Sequence, residues 1–180
     1  MKKMTDGELV SKLRVVPDYP VKGIMFFDVT TLFKDPACYA ELVDRICDIY
    51  RDKGITKVAG IESRGFIAGA AVAARLGAGF VPIRKPGKLP ADTVSESYSK
   101  EYGTDSIEIH SDAIGPEDVV LIHDDILATG GTASAAVRLV KGFGPKAVYC
   151  NFIIDITDCP RTSPIPEDVP TESLLHLAEK

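Results

Sequence analysis

Four features that would direct a protein to a compartment, a metal or a particular partner are missing from this 180-residue sequence. No apolar run approaches the roughly 20 residues of a membrane-spanning helix, and the N-terminal residues contain no apolar core of a secretory signal. The four cysteines form no Cys-x-x-Cys pair, which argues against zinc ribbons and thioredoxin-like chemistry. The net charge of −5 gives no electrostatic footprint for nucleic acid. We therefore expect a cytoplasmic protein with reduced thiols that binds neither membranes nor nucleic acid.

What is present is an ordinary globular composition, with 45% hydrophobic and 26% charged residues. The length predicts one domain over residues 1–180, large enough to bury a single good core. Predicted strands and predicted helices follow one another along the chain, which favours an α/β fold. No Gly-x-Gly-x-x-Gly follows a predicted strand, which argues against a dinucleotide-binding Rossmann domain.

Residues 119–132 are the stretch around which the chain is organised. Val119–Ile122 is a short, β-branched apolar run that predicts a buried strand. A histidine and two acids stand at its carboxyl end, followed by a turn with two glycines and an Ala-rich helical segment expected over residues 133–142. A strand that ends in acids, a Gly-Gly turn and a helix start are typical of a ligand site in an open α/β sheet.

The chemistry of this stretch suits a phosphorylated sugar. Gly130 and Gly131 lack Cβ, so backbone N–H groups there can approach a phosphate closely. The start of the following helix adds unpaired N–H groups and a positive dipole end. Asp124 and Asp125 suit paired ribose hydroxyls. The alternative is an αβ turn with capping residues, and the two acids directly after a buried strand favour the sugar-phosphate site.

Two further loops follow predicted strands and carry cations. The first loop contains Arg64 and joins the strand expected at Lys57–Glu62 to a helix expected at Ile67–Leu76. The second loop is the basic segment 84–90, which follows the strand expected at Gly79–Arg84. The alternatives are a surface arginine beside a helix cap and a solvated charged face. Because both loops lie at the same sheet edge as the first site, we favour a pyrophosphate site.

The other segments leave alternatives open. Residues 15–34 contain two prolines and are predicted to be irregular; their large side chains at 25–27 are either core or a slot for a purine base. Residues 91–105 are polar and form either a surface hairpin or a mobile lid. Residues 147–156 predict the last core strand, and residues 172–177 an edge strand or a short helix.

Several of these stretches resemble the type I phosphoribosyltransferases, and among them the adenine phosphoribosyltransferases. Val-Leu-Ile-His-Asp-Asp-Ile-Leu-Ala-Thr-Gly-Gly-Thr is similar to their phosphoribosyl-pyrophosphate (PRPP) motif. Ser-Arg-Gly-Phe resembles the pyrophosphate loop, and Arg-Lys-Pro-Gly-Lys-Leu-Pro and Glu-Tyr-Gly resemble the basic loop and the catalytic loop. The resemblance runs from about Val16 to Ile154. It implies a mostly parallel central sheet flanked by helices, a small hood over the base site at about residues 1–34 and a flexible lid loop at about residues 91–105.

The resemblance also implies roles for individual residues. The implied catalytic residues are Glu101, Arg64 and Tyr102. The implied PRPP- and AMP-binding residues are Asp124, Asp125, Ala128, Thr129, Gly130, Gly131, Thr132, Ser63, Arg84 and Lys88. The implied adenine-binding residues are Met25, Phe26, Phe27 and Ile126, with Phe26 stacked on the base. A non-proline cis peptide is expected between Glu62 and Ser63 or one bond to either side, and His123 is expected to be structural.

The implied function is transfer of a 5-phosphoribosyl group from PRPP to adenine, giving AMP and pyrophosphate in purine salvage. Glu101 would exchange a proton with the imidazole ring of adenine, Mg²⁺ would be held through PRPP rather than by direct protein ligands, and the protein would be a homodimer. A phosphoribosyltransferase for another base and a non-catalytic PRPP-binding regulator are the alternatives. Residues 147–156 contain no lysine for a 6-oxopurine carbonyl, and no basic extension suggests a DNA-binding regulator.

Overall fold

The computed structural model describes residues 3–19, 21–99 and 103–179. Its helices are α1 (Asp6–Lys12), α2 (Thr30–Phe33), α3 (Pro36–Tyr50), α4 (Arg64–Leu76) and α5 (Gly131–Lys141). Its strands are β1 (Arg14–Pro17), β2 (Met25–Asp28), β3 (Lys57–Ile61), β4 (Gly79–Ile83), β5 (Thr93–Ser99), β6 (Thr104–His110), β7 (Val119–Leu127), β8 (Ala147–Ile156) and β9 (Thr171–Leu177). None of the helices in the described ranges combines the length and apolarity that crossing a bilayer requires.

The central sheet has five strands in the order β4-β3-β7-β8-β9, and every neighbouring pair is parallel. β7 is the middle strand, with Ile122 opposite Ala59 of β3 and Cys150 of β8. A strand flanked on both sides and covered on both faces needs a continuous apolar run, which is what the sequence has there. The parallel α/β sheet expected from the sequence is confirmed, and residues 172–177 belong to an edge strand rather than a helix.

Helices and the β5–β6 hairpin cover the two faces of this sheet. On one face Val120 and Ile122 of β7 belong to a buried apolar cluster with Val137 of α5. On the other face Leu121 belongs to a cluster with Tyr50 of α3 and with side chains of α4. Side chains alternate between the faces of a strand, so the uninterrupted apolar run supplies both clusters.

The acid pair lies inside β7 rather than after it, which corrects the expected strand end at Ile122. The strand continues to Leu127 because β8 is long enough to offer partners, and Asp124 pairs in register with Phe152. Asp124 is half-buried whereas Asp125 is buried, as alternation along a strand requires. The acids are therefore held by the rigid sheet instead of a loop.

Two antiparallel hairpins stand outside the central sheet. β1 pairs with β2, so residues 15–34 contain two short strands and a four-residue helix where an irregular segment was predicted. This pattern was missed because each strand has only four residues, too few to show an alternation. β5 pairs with β6 over seven residue pairs, so the described parts of the segment 91–105 form a hairpin arm.

The helix starts agree with their sequence signals. Thr5 and Glu8 form a capping box at α1. The Asp35 side chain accepts hydrogen bonds from the first N–H groups of α3, and Pro36 occupies the first helical position. α4 begins at Arg64, three residues before the predicted start, because the loop after β3 is only two residues long.

Candidate active site

The loops that follow β3, β4 and β7 meet at one edge of the central sheet. The three strands are parallel neighbours, so their carboxyl ends lie side by side. A cavity of about 170 Å³ between the loops is lined by Glu62 after β3, Arg84 after β4 and Asp124 of β7, among others. An adjoining cavity of about 110 Å³ is lined by Asp124, Ile126 and residues 127–133, among others. Asp124 lines both cavities, so the three loops form one site.

The loop between β7 and α5 has the geometry of an anion-binding turn. Gly130 precedes α5 with a φ of +87°, a conformation that favours glycine. A Cβ atom on Gly130 would lie 2.3 Å from the carbonyl oxygen of Ser163, so a side chain has no room there. Within the described residues no side chain caps the first turn of α5. Its first N–H groups are therefore available to a ligand.

The start of α4 packs directly against β7. A Cβ atom on Gly65 would lie 2.7 Å from the carbonyl oxygen of His123 and 3.1 Å from a carboxylate oxygen of Asp124. Only glycine permits such a close approach of the two backbones. The approach brings the neighbouring Arg64 over the acid pair.

The two acids have different surroundings. Asp125 is 3% exposed and forms an ion pair with the Nε of Arg64. Asp124 accepts a hydrogen bond from the backbone N–H of Asp125 at 2.9 Å. Burial and the nearby charge of Asp125 raise the pKa of Asp124 well above its ordinary value. A carboxyl group in this position can accept hydrogen bonds from sugar hydroxyls, and can donate one when protonated.

The cations around the site are paired with carboxylates. Besides the Arg64 pair, Nε of Arg84 lies 3.3 Å from Glu62, and Lys85 forms an ion pair with Asp105. Glu62 also accepts a hydrogen bond from the backbone N–H of Lys85 at 2.9 Å. That bond and the Arg84 guanidinium lower the pKa of Glu62. Partly exposed pairs of this kind are weak, so an incoming polyanion can replace a carboxylate as the partner.

Tyr98, near the end of β5, connects the basic loop to the first turn of α5. Its hydroxyl accepts a hydrogen bond from Nζ of Lys85 at 3.0 Å and lies 3.2 Å from a carboxylate oxygen of Asp105. The hydroxyl of Thr132 donates to the same Tyr98 oxygen at 3.2 Å. The hairpin arm is thus joined by hydrogen bonds to both anion-binding loops.

The aromatic residues of β2 divide between the core and the site. Phe27 is 9% exposed and packs in an apolar cluster with Leu9 and Leu32. Phe26 is half-buried, and its ring centroid lies 5.8 Å from the guanidinium carbon of Arg64. Tyr19 packs edge-on against the Phe26 ring. Of the two roles predicted for these side chains, Phe27 has the first, as a core residue, whereas the Phe26 ring lies beside the site.

Comparison with known proteins identifies the family. Residues 28–162 match the family model of the phosphoribosyl transferase domain. The adenine phosphoribosyltransferase of Bacteroides thetaiotaomicron is 58% identical over 174 residues, which cover 97% of this chain and 99% of that protein. The chain belongs to the adenine phosphoribosyltransferase family.

Solved adenine phosphoribosyltransferases have the same fold. The Rhodothermus marinus structure is 48% identical, with a TM-score of 0.89 over 96% of this chain and 98% of that one. The Giardia lamblia structure, solved with 9-deazaadenine, is 38% identical, with a TM-score of 0.90 over 97% of this chain and 98% of that one. The expected family, the type I phosphoribosyltransferase fold and the pentosyltransferase activity are confirmed.

Most residues that the sequence assigned to the adenine phosphoribosyltransferase site are near one another. The two cavities are lined by Arg84, Asp124, Ile126, Ala128, Thr129, Gly130, Gly131 and Thr132. Asp125 and Phe26 join this group through Arg64, and Met25 precedes Phe26 on β2. Ser63 is the residue before α4, and the predicted cis peptide is confirmed at Glu62–Ser63.

The assigned residues also include Lys88, Glu101 and Tyr102. The side chain of Lys88 is exposed, and its backbone carbonyl accepts a hydrogen bond from Arg84 at 3.1 Å. Glu101 and Tyr102 lie outside the described residues. Sequence reasoning missed Tyr98, which contacts the first turn of α5, and Arg161, which contacts the residues before it. The carbonyl groups that Arg161 contacts there are more than 30 positions away, and no local sequence pattern signals such a contact.

A larger groove of about 580 Å³ lies between α3 and the end of α4, away from the strand ends. Its charges neutralise one another, since Lys3 pairs with Asp48 at 3.2 Å and Arg75 pairs with Asp44 at 2.8 Å. We assign no chemistry to this groove.

Proposed function

We propose how the residues of this adenine phosphoribosyltransferase divide the transfer of a 5-phosphoribosyl group from PRPP to adenine, which gives AMP and pyrophosphate. One observation carries the proposal: Asp124 lines both the cavity bounded by the turn before α5 and the cavity bounded by the basic loop. A ribose on the acid pair would then have its 5-phosphate on one side and its pyrophosphate on the other.

The 5-phosphate binds in the loop of residues 128–132. Backbone N–H groups from Ala128 to Thr132 and the start of α5 surround it, and the hydroxyls of Thr129 and Thr132 donate to its oxygens. The left-handed Gly130 supports this, because a side chain there would collide with Ser163 behind the turn and displace the turn. Asp124 and Asp125 hold the ribose hydroxyls.

The pyrophosphate binds between Ser63, Arg84 and Lys88. Arg84 exchanges its Glu62 partner for the phosphate oxygens, and the exposed Lys88 adds a second cation. The C–O bond at the anomeric carbon breaks early, so negative charge grows on the leaving pyrophosphate, and Arg64 adds to the positive field that stabilises it. No residue forms a covalent intermediate in this reaction.

Mg²⁺ would be held through PRPP and water. No protein group would bind the ion directly; the carboxylates of Glu62 and Asp124 line one cavity and would accept hydrogen bonds from its waters. No group of three or more potential ligand side chains converges within the described residues. When bound, the ion neutralises charge on the departing pyrophosphate.

Adenine lies between the Phe26 ring and Ile126. The backbone groups of Met25 and Phe27 hydrogen-bond to the edge of the base, a contact that does not depend on the Phe27 side chain in the core. The half-buried ring of Phe26 beside Arg64 supports this position. Residues 1–34 thus act as a hood over the base.

The catalytic lid comprises residues 91–105. In the forward direction Glu101 takes the proton from the imidazole ring of adenine as the new C–N bond forms, and in reverse it returns that proton. Tyr102 is assigned to the same catalytic loop. We further propose that residues 1–180 are one domain, working in the cytoplasm as a homodimer. Light scattering that gives the mass of a monomer would contradict the last point.

A base-specificity assay tests this account. The protein is given PRPP and Mg²⁺ with adenine, hypoxanthine, guanine or orotate in separate reactions, and pyrophosphate release and nucleotide formation are followed. We expect turnover with adenine alone. Turnover with another base would contradict the assignment of residues 25–27, and PRPP binding without any turnover would favour a regulator.

The role of the lid is tested by Glu101→Gln. We expect kcat to fall by about 10²–10⁴, the usual contribution of a general acid or base, while the Kd of PRPP is unchanged. Asp112→Asn, at an exposed acid beyond the hairpin, is the matched control and should retain full activity. An unchanged kcat for Glu101→Gln would remove that residue from the mechanism.

A further inference from the structure

The chain after β8 returns across the back of the turn that precedes α5. The guanidinium of Arg161 donates to the carbonyl oxygen of Leu127 at 3.3 Å and also to that of Ala128. The backbone N–H of Ser163 donates to the carbonyl oxygen of Thr129 at 3.2 Å. Three successive carbonyl groups of the turn therefore accept hydrogen bonds from the same short segment, residues 161–163.

This arrangement fixes the direction in which the N–H groups of the turn point. In a planar trans peptide the C=O and N–H bonds point to opposite sides. If the carbonyls of residues 127–129 face the segment 161–163, the N–H groups of residues 128–130 face away from it. The cavity of about 110 Å³ is lined by these residues. The returning segment thus holds the acceptors behind the turn and leaves the donors facing the cavity.

Arg161 is itself anchored to the sheet. Its second terminal nitrogen forms an ion pair with Asp155, which is opposite Leu127 in the β7–β8 register. The planar guanidinium can satisfy carbonyl and carboxylate acceptors at once, which a lysine ammonium does with less geometric control. Its charge also lies directly behind a turn that would receive a phosphate dianion.

The same segment explains why the turn contains glycine. Ser163 approaches Gly130 so closely that a Cβ atom would meet its carbonyl oxygen. The close approach and the hydrogen bond from Ser163 to Thr129 occur at consecutive residues of the turn. The turn and the returning segment are therefore built as one unit.

We propose that Arg161 is a positioning residue for phosphoribosyl transfer, holding the turn before α5 in the conformation that binds the 5-phosphate. This rests on the proposed place of that phosphate. Arg161 does not touch the substrate in this account; it acts through the backbone of residues 127–129.

The test compares two ligands that bind to the same enzyme, only one of them at the turn. Ribose 5-phosphate probes the turn, and pyrophosphate with Mg²⁺ probes the basic loop. For Arg161→Met we expect the Kd of ribose 5-phosphate to rise about tenfold, the effect of losing one hydrogen bond to a charged group. The Kd of pyrophosphate should be unchanged. Arg161→Lys keeps the positive charge but loses the planar guanidinium, so its Kd for ribose 5-phosphate should rise less.

The controls separate positioning from stability. Arg75→Met removes an exposed arginine on the far side of α4 and should change neither Kd. Equal losses for both ligands in Arg161→Met, or an unchanged Kd for ribose 5-phosphate, would overturn the proposal. If Arg161→Met does not fold, an unchanged Kd in Arg161→Lys has the same meaning. Failure of the wild type to bind ribose 5-phosphate would instead refute the phosphate assignment, and this inference with it.

Discussion

Acid should destabilise this protein through His123, a buried histidine in the middle strand. Its side chain is 1% exposed, and Nδ1 lies 3.0 Å from Oδ1 of Asn151. Nδ2 of Asn151 donates to the carbonyl of Glu172 at 3.2 Å. The amide is thereby oriented so that Nδ1 of the histidine must carry the proton. Among the described residues Nε2 has no hydrogen-bond partner, so a second proton would be buried without an acceptor.

Burial lowers the pKa of His123 to about 4, from 6.5. The unfolded chain takes up a proton as the pH falls through 6.5, and the folded protein only near pH 4. Between these values the unfolded state binds more protons, so the free energy of unfolding decreases as the pH falls. At 1.36 kcal/mol per pKa unit the full loss is about 3 kcal/mol below pH 4. About 2 kcal/mol of it is present at pH 5.

Urea denaturation of the wild type and of His123→Leu at pH 7, 6 and 5 measures this loss. Leucine has a similar volume and does not titrate, and it leaves Asn151 without its donor, which lowers the starting stability by about 1–3 kcal/mol. The other histidines and the acids are present in both proteins, so their contributions cancel in the difference. We expect the free energy of unfolding of the wild type, measured relative to that of His123→Leu, to decrease by about 2 kcal/mol between pH 7 and pH 5. A difference that stays constant with pH would refute the claim that His123 is buried in its neutral form.

Three further substitutions have defined outcomes. Gly130→Ala should raise the KM for PRPP more than tenfold, because the new Cβ displaces the turn. Gly54→Ala is the control: Gly54 has a similar φ of +67°, but no atom lies within 4 Å of a Cβ there, so this variant should lose only stability. Arg64→Ala leaves the buried Asp125 carboxylate unpaired and should cost about 1–3 kcal/mol of unfolding free energy in urea, of which Asp125→Asn in the same chain should restore most. Tyr50→Phe removes a buried hydroxyl that donates to a β8 carbonyl at 2.8 Å, and should lower the unfolding free energy by about 1–2 kcal/mol without changing kcat.

Local patterns specified the elements of the fold and the chemistry of the main loops. The apolar run of β7, the capping box of α1 and the Asp-Pro start of α3 depend on interactions within a few residues, so they are visible in the sequence. The same holds for the Gly-Gly turn, whose conformation follows from the missing side chains. Family resemblance added the substrates, and comparison with known relatives bore that out.

The pairing of distant segments was decided only in the folded chain. The extension of β7 to Leu127 depends on the length of β8, and the buried carboxylate of Asp125 depends on its ion pair with Arg64 of α4. Arg161 meets the turn before α5 because β8 and β7 are neighbours, although more than 30 residues separate them in sequence. A sequence pattern records which groups are available; their partners, pKa values and distances arise when the parallel strands bring their carboxyl ends to one edge.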